Sequence, residues 1–450
     1  MKKVITYGTY DLLHHGHLNL LKNAKALGDY LIVGVTSDSF DMERGKLNVH
    51  HNVLKRVQAI KDTGLADEII IEDYIGQKIH DIQRFHVDIF AIGSDWEGHF
   101  DYLNEFCQVI YLPRTEGVSS TMIRDESQII FKMGIIGSGR IAHRFVPEAA
   151  FVNGVEVISV FNPDVLQAKD FKECYQLKSY HQDFDDFTQE IDAVYIASPH
   201  ISHYDYIKRS LLAGKHVLCE IPLTLKKQEA EEVYKLAQEK ELVLLEASKT
   251  AFCPAFLHLI SLVKSGVIGE IVDVQASLSK LQDKTLREFD PNQAGGSVTE
   301  LAPLPLLVIL KILGKDIKSM HFYSVIANGI DTFTKGLFAF EHSIATITLG
   351  LGVKTEGNLV ISGTKGYVYV PAPWWKTDFF ELRFEDQNLN RKFFYPYAGE
   401  GLRYEIQEFF SMIVDKSTIS FKLKPDESIL IAEIIENFRA GEHVNIISRS

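Results

Sequence analysis

Residues 3–17 read KVITYGTYDLLHHGH, and this stretch decides how the first part of the chain folds. Val4, Ile5 and Tyr7 form a short apolar run that stops in a turn at Gly8. Past the turn stand two histidines around a glycine, His14-x-Gly16-His17. From Leu18 the apolar residues recur at helical spacing, as Leu18, Leu21, Ala24 and Leu27. His17 is thereby placed at the start of a helix, where unpaired backbone N–H groups and the macrodipole favour an anion. Two imidazoles beside a residue with no side chain suit a phosphate clamp.

Outward from there, residues 1–126 alternate short apolar runs with helical periodicity. Strands are expected at Val4–Tyr7, Tyr30–Val35, Glu68–Ile71, Asp88–Ile92 and Gln108–Leu112, with helices between, the pattern of a parallel sheet. Ligands of such sheets bind beyond the carboxyl ends of the strands, which places Gly8–Asp11, Gly93–Trp96 and Arg114–Ser120 on one rim. A short helix from Thr121 to about Ile130 closes this unit. The next stretch, MGIIGSGRIAHRF, carries a strand, Met133–Ile136, then Gly137-x-Gly139-x-x-Ala142 opening a helix, the context a dinucleotide turn requires. Further strands are expected at Val155–Phe161, Ala193–Ala197, His216–Glu220 and Leu242–Glu246. After Phe252 longer alternating segments, from Ile271–Ser279 to Phe379–Phe384, read as a mainly antiparallel sheet, and a last amphipathic helix, Asp426–Ala440, folds back across it. The fold class is α/β throughout: a parallel-sheet unit at 1–130, a Rossmann unit at 131–250 and an α+β unit at 251–450.

Composition bounds the function. The 450 residues are 46% hydrophobic and 24% charged, ordinary for a globular protein, and 450 residues suit two or three structural units. A net charge of −13 argues against nucleic acid or an anionic membrane surface as the main partner. The 4 cysteines, Cys107, Cys174, Cys219 and Cys253, form no CxxC pair and read as reduced thiols. No signal-length apolar run opens the sequence, and Leu304–Leu313 is too short to span a bilayer and contains Lys311. The expectation is a cytoplasmic protein without membrane insertion.

His14-x-Gly16-His17 after a strand ending in Gly8-Thr9-x-Asp11, together with Arg114-Thr115-Glu116-Gly117-Val118-Ser119-Ser120-Thr121, resembles the cytidylyltransferases over almost all of residues 1–126, and within them those acting on glycerol 3-phosphate. The resemblance implies in-line attack of an acceptor phosphate on the α-phosphorus of CTP, with Mg²⁺ and without a covalent enzyme intermediate. It implies that His14, His17, Lys46 and Arg114 stabilise the reacting phosphates. Thr9, Gly16, Arg44, Arg56, Asp95, Trp96, Thr115, Ser119 and Ser120 are implied to bind the substrates, and Asp11 either to orient a histidine or to assist Mg²⁺. Relatives carry an arginine where this chain has Gly64, and a bulky aromatic where it has His15.

Residues 132–450 resemble the Gfo/Idh/MocA oxidoreductases, on the glycine turn, Ser198-Pro199-His200 with His203, Ala213–Glu220, Phe252-Cys253-Pro254 and Gly266–Glu270. The resemblance implies an NAD or NADP site using Gly137, Gly139, Ala142, Asn162, Pro199, His203 and Glu220, and a homo-oligomer. It also marks departures. Relatives read Glu-Lys-Pro where this chain reads Glu220-Ile221-Pro222, and a histidine or tyrosine where it has Leu304, four residues after Glu300. Asn162 stands where an acid binds both ribose hydroxyls of NAD. Lys249 reads as a surface cation, with a reach to the nicotinamide region as the alternative. The expected activity is formation of CDP-glycerol and pyrophosphate from CTP and sn-glycerol 3-phosphate, for cell-wall or capsule polymers. The alternative is a bifunctional transferase and NAD(P)-dependent dehydrogenase of a related polyol or sugar phosphate.

Overall fold

Strand β1 (Lys3–Gly8) is buried on both faces: Val4 belongs to one apolar cluster with Leu21, Leu31, Val33 and Ile60, while Ile5 and Tyr7 belong to another with Ile32, Phe90 and Ile92. The computed structural model describes residues 1–13, 15–43, 49, 51–73, 76–113 and 130–447, without the side chains of His15, Ser39, Met42, Glu43 and Asp95. Contacts divide the chain into two units, Met1–Ile129 and Ile130–Ser450.

In the first unit β1 is joined by β2 (Tyr30–Thr36), β3 (Glu68–Glu72), β4 (Ile89–Gly93) and β5 (Gln108–Leu112), each within one residue of its expected ends. All pairs are parallel and the order is β3-β2-β1-β4-β5. The winding reverses between β1 and β4, which opens a crevice at their carboxyl ends. Helix His15–Lys25 begins two residues before His17, so that ring stands in the first turn. The helix expected from Thr121 lies outside the described residues.

The second unit holds two sheets. Six parallel strands, β6 (Phe131–Ile136), β7 (Val155–Phe161), β8 (Ser179–His181), β9 (Ala193–Ile196), β10 (His216–Glu220) and β11 (Leu244–Ala247), take the order β11-β10-β9-β6-β7-β8, with the reversal between β6 and β9. Nine strands form the other sheet: β12 (Ile271–Lys280), β13 (Ser319–Ala327), β14 (Ile330–Ala339), β15 (Ile344–Leu351), β16 (Leu359–Gly363), β17 (Gly366–Val370), β18 (Phe379–Phe384), β19 (Arg391–Phe394) and β20 (Val444–Ile447). Their order is β19-β18-β17-β16-β12-β15-β14-β13-β20. The pairs β12–β15 and β13–β20 are parallel and the rest antiparallel.

One face of this sheet presents Val274, Ala276 and Leu278 of β12 and Ala345, Ile347 and Leu349 of β15, all buried. Helix Pro303–Leu313 covers β12, with Leu306, Leu307, Val308 and Ile309 almost wholly excluded from water. Each such side chain contributes about 1.5–3 kcal/mol by burial. The most apolar run in the sequence is thus a core helix, and among the described residues no helix is long and apolar enough to cross a membrane. The last helix, Pro425–Arg439, packs against helix Lys227–Glu239 of the parallel sheet as well as against Pro303–Leu313, and Lys227 N donates to Glu436 at 2.9 Å.

Helix Arg140–Ala149 is tied to helix Leu402–Val414 by a buried pair. Glu148 accepts from Arg403 Nη2 at 2.6 Å and Nε at 3.0 Å, and from the backbone N–H groups of Glu400 and Arg403. Burial alone raises the Glu148 carboxyl, but the bonds from Arg403 overcome it and the net pKa is lowered. Its contribution to stability is therefore present above the ordinary glutamate range and lost as pH falls through the lowered value. Arg403→Ala, which strands this carboxylate, is expected to destabilise the protein by about 3–5 kcal/mol in denaturant or thermal unfolding.

Candidate functional site

The crevice of the first unit is built around one buried cation. Arg56, on helix Val53–Asp62, is 1% exposed. Its Nη1 donates to Thr9 O at 2.7 Å and Thr36 O at 2.8 Å, Nε to His51 O at 2.8 Å, and Nη2 to Asp38 Oδ1 at 2.5 Å. Asp41 Oδ2 lies 3.2 Å from Nη1. The guanidinium thus joins the carboxyl ends of β1 and β2 to helix Asp38–Glu43 and to the segment at His51. These bonds give Arg56 a bracing role between the strand ends.

Thr9 Oγ1 donates to Asp41 Oδ1 at 2.7 Å. Asp11, 2% exposed, accepts from His51 N at 3.0 Å, with the His51 ring Nδ1 at 4.0 Å. Tyr10, fully buried, meets the His17 ring edge to face at 5.5 Å, and burial pushes its hydroxyl pKa up. Trp96, in the turn after β4, is 39% exposed and touches His99 edge-on and Phe100 at a tilt. Gly16 lies in the first helical turn beside His17. His14, Arg44, Lys46, Arg114, Thr115, Ser119 and Ser120 lie outside the described residues, as does the Asp95 side chain. Asp38, Asp41 and His51 carry no motif and were legible only through the fold. Gly64 has φ +65°, and its N–H caps the helix that bears Arg56 by bonding Lys61 O, so the left-handed position favours glycine.

In the second unit Gly137 has φ +97°, and a Cβ there would meet Ala197 O at 2.8 Å, while nothing lies within 4 Å of a Cβ on Gly139. The turn opens onto the N-terminus of helix Arg140–Ala149, and Ala142 is fully buried where that helix meets the sheet. Asn162, at the end of β7, donates to Ser138 Oγ at 2.8 Å and accepts from Asp164 N. Tight turn, open approach and helix N-terminus fit a dinucleotide. Among the described residues no cluster of three or more His, Cys, Asp or Glu can hold a metal ion.

Farther along the same edge, Pro199 precedes a short turn in which His200 Nε2 lies 2.9 Å from Glu300 Oε1. Arg287 Nη1 lies 3.0 Å from that same oxygen. Burial alone would raise Glu300, but His200 and Arg287 prevail and hold its pKa at about 2. Leu304, 9% exposed, belongs to the apolar helix beyond. Glu220, at the end of β10, is hydrogen-bonded to Tyr195, and burial raises its pKa. Lys249, expected as a surface cation, is instead half-buried. Its Nζ donates to Glu400 O at 2.8 Å, and burial lowers its pKa against the pull of Glu405 and Glu220. The reason is local: Lys249 opens the short helix Lys249–Phe252, which packs under helix Leu402–Val414.

Residues 5–126 match the family described as Cytidylyltransferase-like, and residues 131–248 the family described as Oxidoreductase family, NAD-binding Rossmann fold. A glycerol-3-phosphate cytidylyltransferase of Bacillus spizizenii is 52% identical over 126 residues, 28% of this chain and 97% of that protein. A scyllo-inositol 2-dehydrogenase (NADP(+)) of Bacillus subtilis is 25% identical over 320 residues, 69% of this chain and 96% of that protein. A 3-ketoreductase from Actinomadura kijaniata, solved with NADP and TDP-benzene, shares the fold with a TM-score of 0.65 at 21% identity, covering 71% of this chain and all of that one.

His203 gives a direct test of this geometry. It is fully buried, with Nδ1 2.9 Å from Pro222 O and Nε2 2.9 Å from Ser198 O. A neutral ring donates to only one of these carbonyls. Burial, and then His200, nevertheless lower its pKa to about 3. The unfolded chain takes up this proton near pH 6.5 and the native one only near 3, so stability from the neutral ring is complete above about 6.5 and lost as pH falls toward 3. Imidazole resonances followed by NMR are expected to show His203 unprotonated from pH 8 down to the acid limit of the fold.

Proposed function

The chain belongs to the cytidylyltransferase-like family through residues 5–126 and carries an oxidoreductase-family Rossmann region at 131–248, and from that premise we propose that it makes CDP-glycerol. The first unit is a nucleotidyltransferase. Its proposed reaction joins a phosphate oxygen of sn-glycerol 3-phosphate to the α-phosphorus of CTP as the bond to the β-phosphate breaks, releasing pyrophosphate. The observation that carries this reading is the sequence motif His14-x-Gly16-His17, whose Gly16 and His17 stand in the first turn of helix His15–Lys25, in a unit half identical to a protein named for this acceptor.

In this reading the helix entrance and His17 receive the triphosphate, with His14, Lys46 and Arg114 adding positive charge. Trp96 offers a face to the base, with Asp95 beside it, and Thr115, Ser119 and Ser120 close the site. Mg²⁺ supplies further charge on the phosphates when bound with CTP. Asp11, Thr9 and Arg56 act from behind by fixing the strand end. The product would feed teichoic-acid or capsule polymers, and the protein would work in the cytosol as a homo-oligomer.

A second activity has a specific observation in its favour: the dinucleotide turn at Gly137–Gly139 is intact, and charged groups line the same edge of the sheet. This supports NAD(P) binding and a dehydrogenase half acting on a related polyol or sugar phosphate. Ile221 and Leu304 have no proton to give, so any proton transfer there falls to other residues.

His14→Ala and His17→Ala are each expected to lower CTP-dependent pyrophosphate release with sn-glycerol 3-phosphate by about 10²–10³-fold without loss of fold. Wild-type turnover in either variant removes the transferase assignment of that residue. Titration with NADH and NADPH is expected to give saturable binding; its absence with both would leave the second unit a scaffold.

A further inference from the structure

Three packed helices of the second unit share a cavity at their ends. Helices Pro254–Lys264 and Pro303–Leu313 end at it, and helix Pro425–Arg439 starts from it. The cavity holds about 390 Å³, room for a small organic ligand. Its charged lining is Lys264, Lys311, Lys315 and Lys424 against Asp426 and Glu427. None of these residues belongs to the dinucleotide turn or to the carboxyl ends of the parallel strands.

Both acids are already engaged. Glu427 accepts from Lys311 Nζ at 2.6 Å, in a pair whose side chains are only 9% and 10% exposed. Asp426 pairs with Lys315 at the more open side. That leaves two ammonium groups, Lys264 and Lys424, in no ion pair among the described residues. The lining thus carries two positive charges that its acids do not cancel. Lys311 registers the excess. Burial lowers its pKa, Glu427 opposes the shift, and Lys264 and Lys424 lower it further.

Helix ends account for part of this charge. Lys264 and Lys311 stand in the last turns of their helices, where the macrodipole is negative and favours cations. Lys424 stands at the opposite pole. It is the N-cap of its helix, a position that favours Ser, Thr, Asp or Asn and repels a cation. The backbone there does not need a lysine: Glu427 N and Ser428 N bond the Lys424 carbonyl, and Lys424 N bonds Glu427 at 2.8 Å. Lys424 therefore breaks a local rule with no gain inside the folded chain, as expected where an external group completes the charge.

We propose that this cavity binds a phosphate monoester of a small organic molecule, its phosphate held by Lys264 and Lys424. A monoester carries about −1.5 to −2 charge near pH 7, which matches the two uncancelled ammonium groups, whereas a carboxylate leaves one over. The rest of the cavity takes the organic part. The site is separate from cytidylyl transfer and from the dinucleotide turn, and the inference rests on neither.

Acylation of lysines in the full-length protein by an N-hydroxysuccinimide ester, located by peptide mass spectrometry, tests it. Lys235, 77% exposed on its side chain, serves as the internal reference. The probes are sn-glycerol 3-phosphate and glucose 6-phosphate; the controls are glycerol, glycerate and sodium chloride, the salts at matched ionic strength. At least one ester at saturation is expected to slow acylation of both Lys264 and Lys424 about fivefold relative to Lys235, and the controls to leave both unchanged. Protection by neither ester overturns the proposal, and so does equal slowing by glycerate or sodium chloride. Lys264→Gln, at an exposed position, separates direct binding from a remote effect. The ester concentration that half-protects Lys424 is expected to rise about tenfold in this variant. An unchanged concentration overturns the proposal, because the protection would then arise at another site.

Discussion

The first unit depends on the buried guanidinium of Arg56. Burying a cation costs several kcal/mol unless its donors are met, and here they are met by Thr9 O, Thr36 O, His51 O and two aspartates. Those acceptors belong to three separate stretches of chain, at Thr9, at Thr36–Asp41 and at His51, so the ion is satisfied only when all three are in place. The result is a strand end that cannot drift. Thr9 is fixed by its own carbonyl and by its hydroxyl on Asp41, and Asp11 follows two residues later. The helix bearing His17 starts from that fixed point. Positioning of this kind is what transfer between phosphates needs, since little covalent chemistry is left for the protein to do.

The same constraint explains what the sequence could tell. A motif names residue types at spacings, and Arg56 matched a position that carries phosphate contacts. Only the closing of the fold shows its N–H groups turned to Thr9 and Thr36. Asp38, Asp41 and His51 have no local signature, because their role arises from contacts with chain far away in sequence. Strands told a similar story. Most strands, apolar on both faces or strictly alternating, were legible to within a residue or two, and β14 only in its second half. The three that were not read at all, β8, β19 and β20, lie at sheet edges, where half the pairing and much of the burial are missing. SYH, RKFF and VNII have too little pattern to announce themselves. Gly64 shows the converse case: its departure from the family arginine is also the residue its backbone angle favours.

The second unit separates binding from proton transfer. Its glycine turn keeps the features a dinucleotide needs, and Gly137 cannot accept a side chain without striking Ala197 O. At the positions where relatives handle protons, Ile221 and Leu304 are inert. Yet the surrounding edge is far from inert. Lys249 was drawn inward from the surface that its sequence context suggested, and its charge is shared with Glu220 and Glu405.

That pattern of charge bears on why the second half is retained. Replacing a buried ion pair with well-packed apolar residues is often neutral or stabilising, by about 1–4 kcal/mol. A unit kept only to hold the first in place would gain nothing from Glu300 between His200 and Arg287, both in the same crevice as the dinucleotide turn. It would lose stability by keeping Glu405 buried and Glu220 half-buried beside Lys249, where burial raises both carboxyls. Packing and charge therefore point in opposite directions at this edge of the sheet, and charge has prevailed. Such a conflict is expected where a ligand completes the electrostatics, because a bound anion or cofactor supplies the partner that the folded chain alone does not.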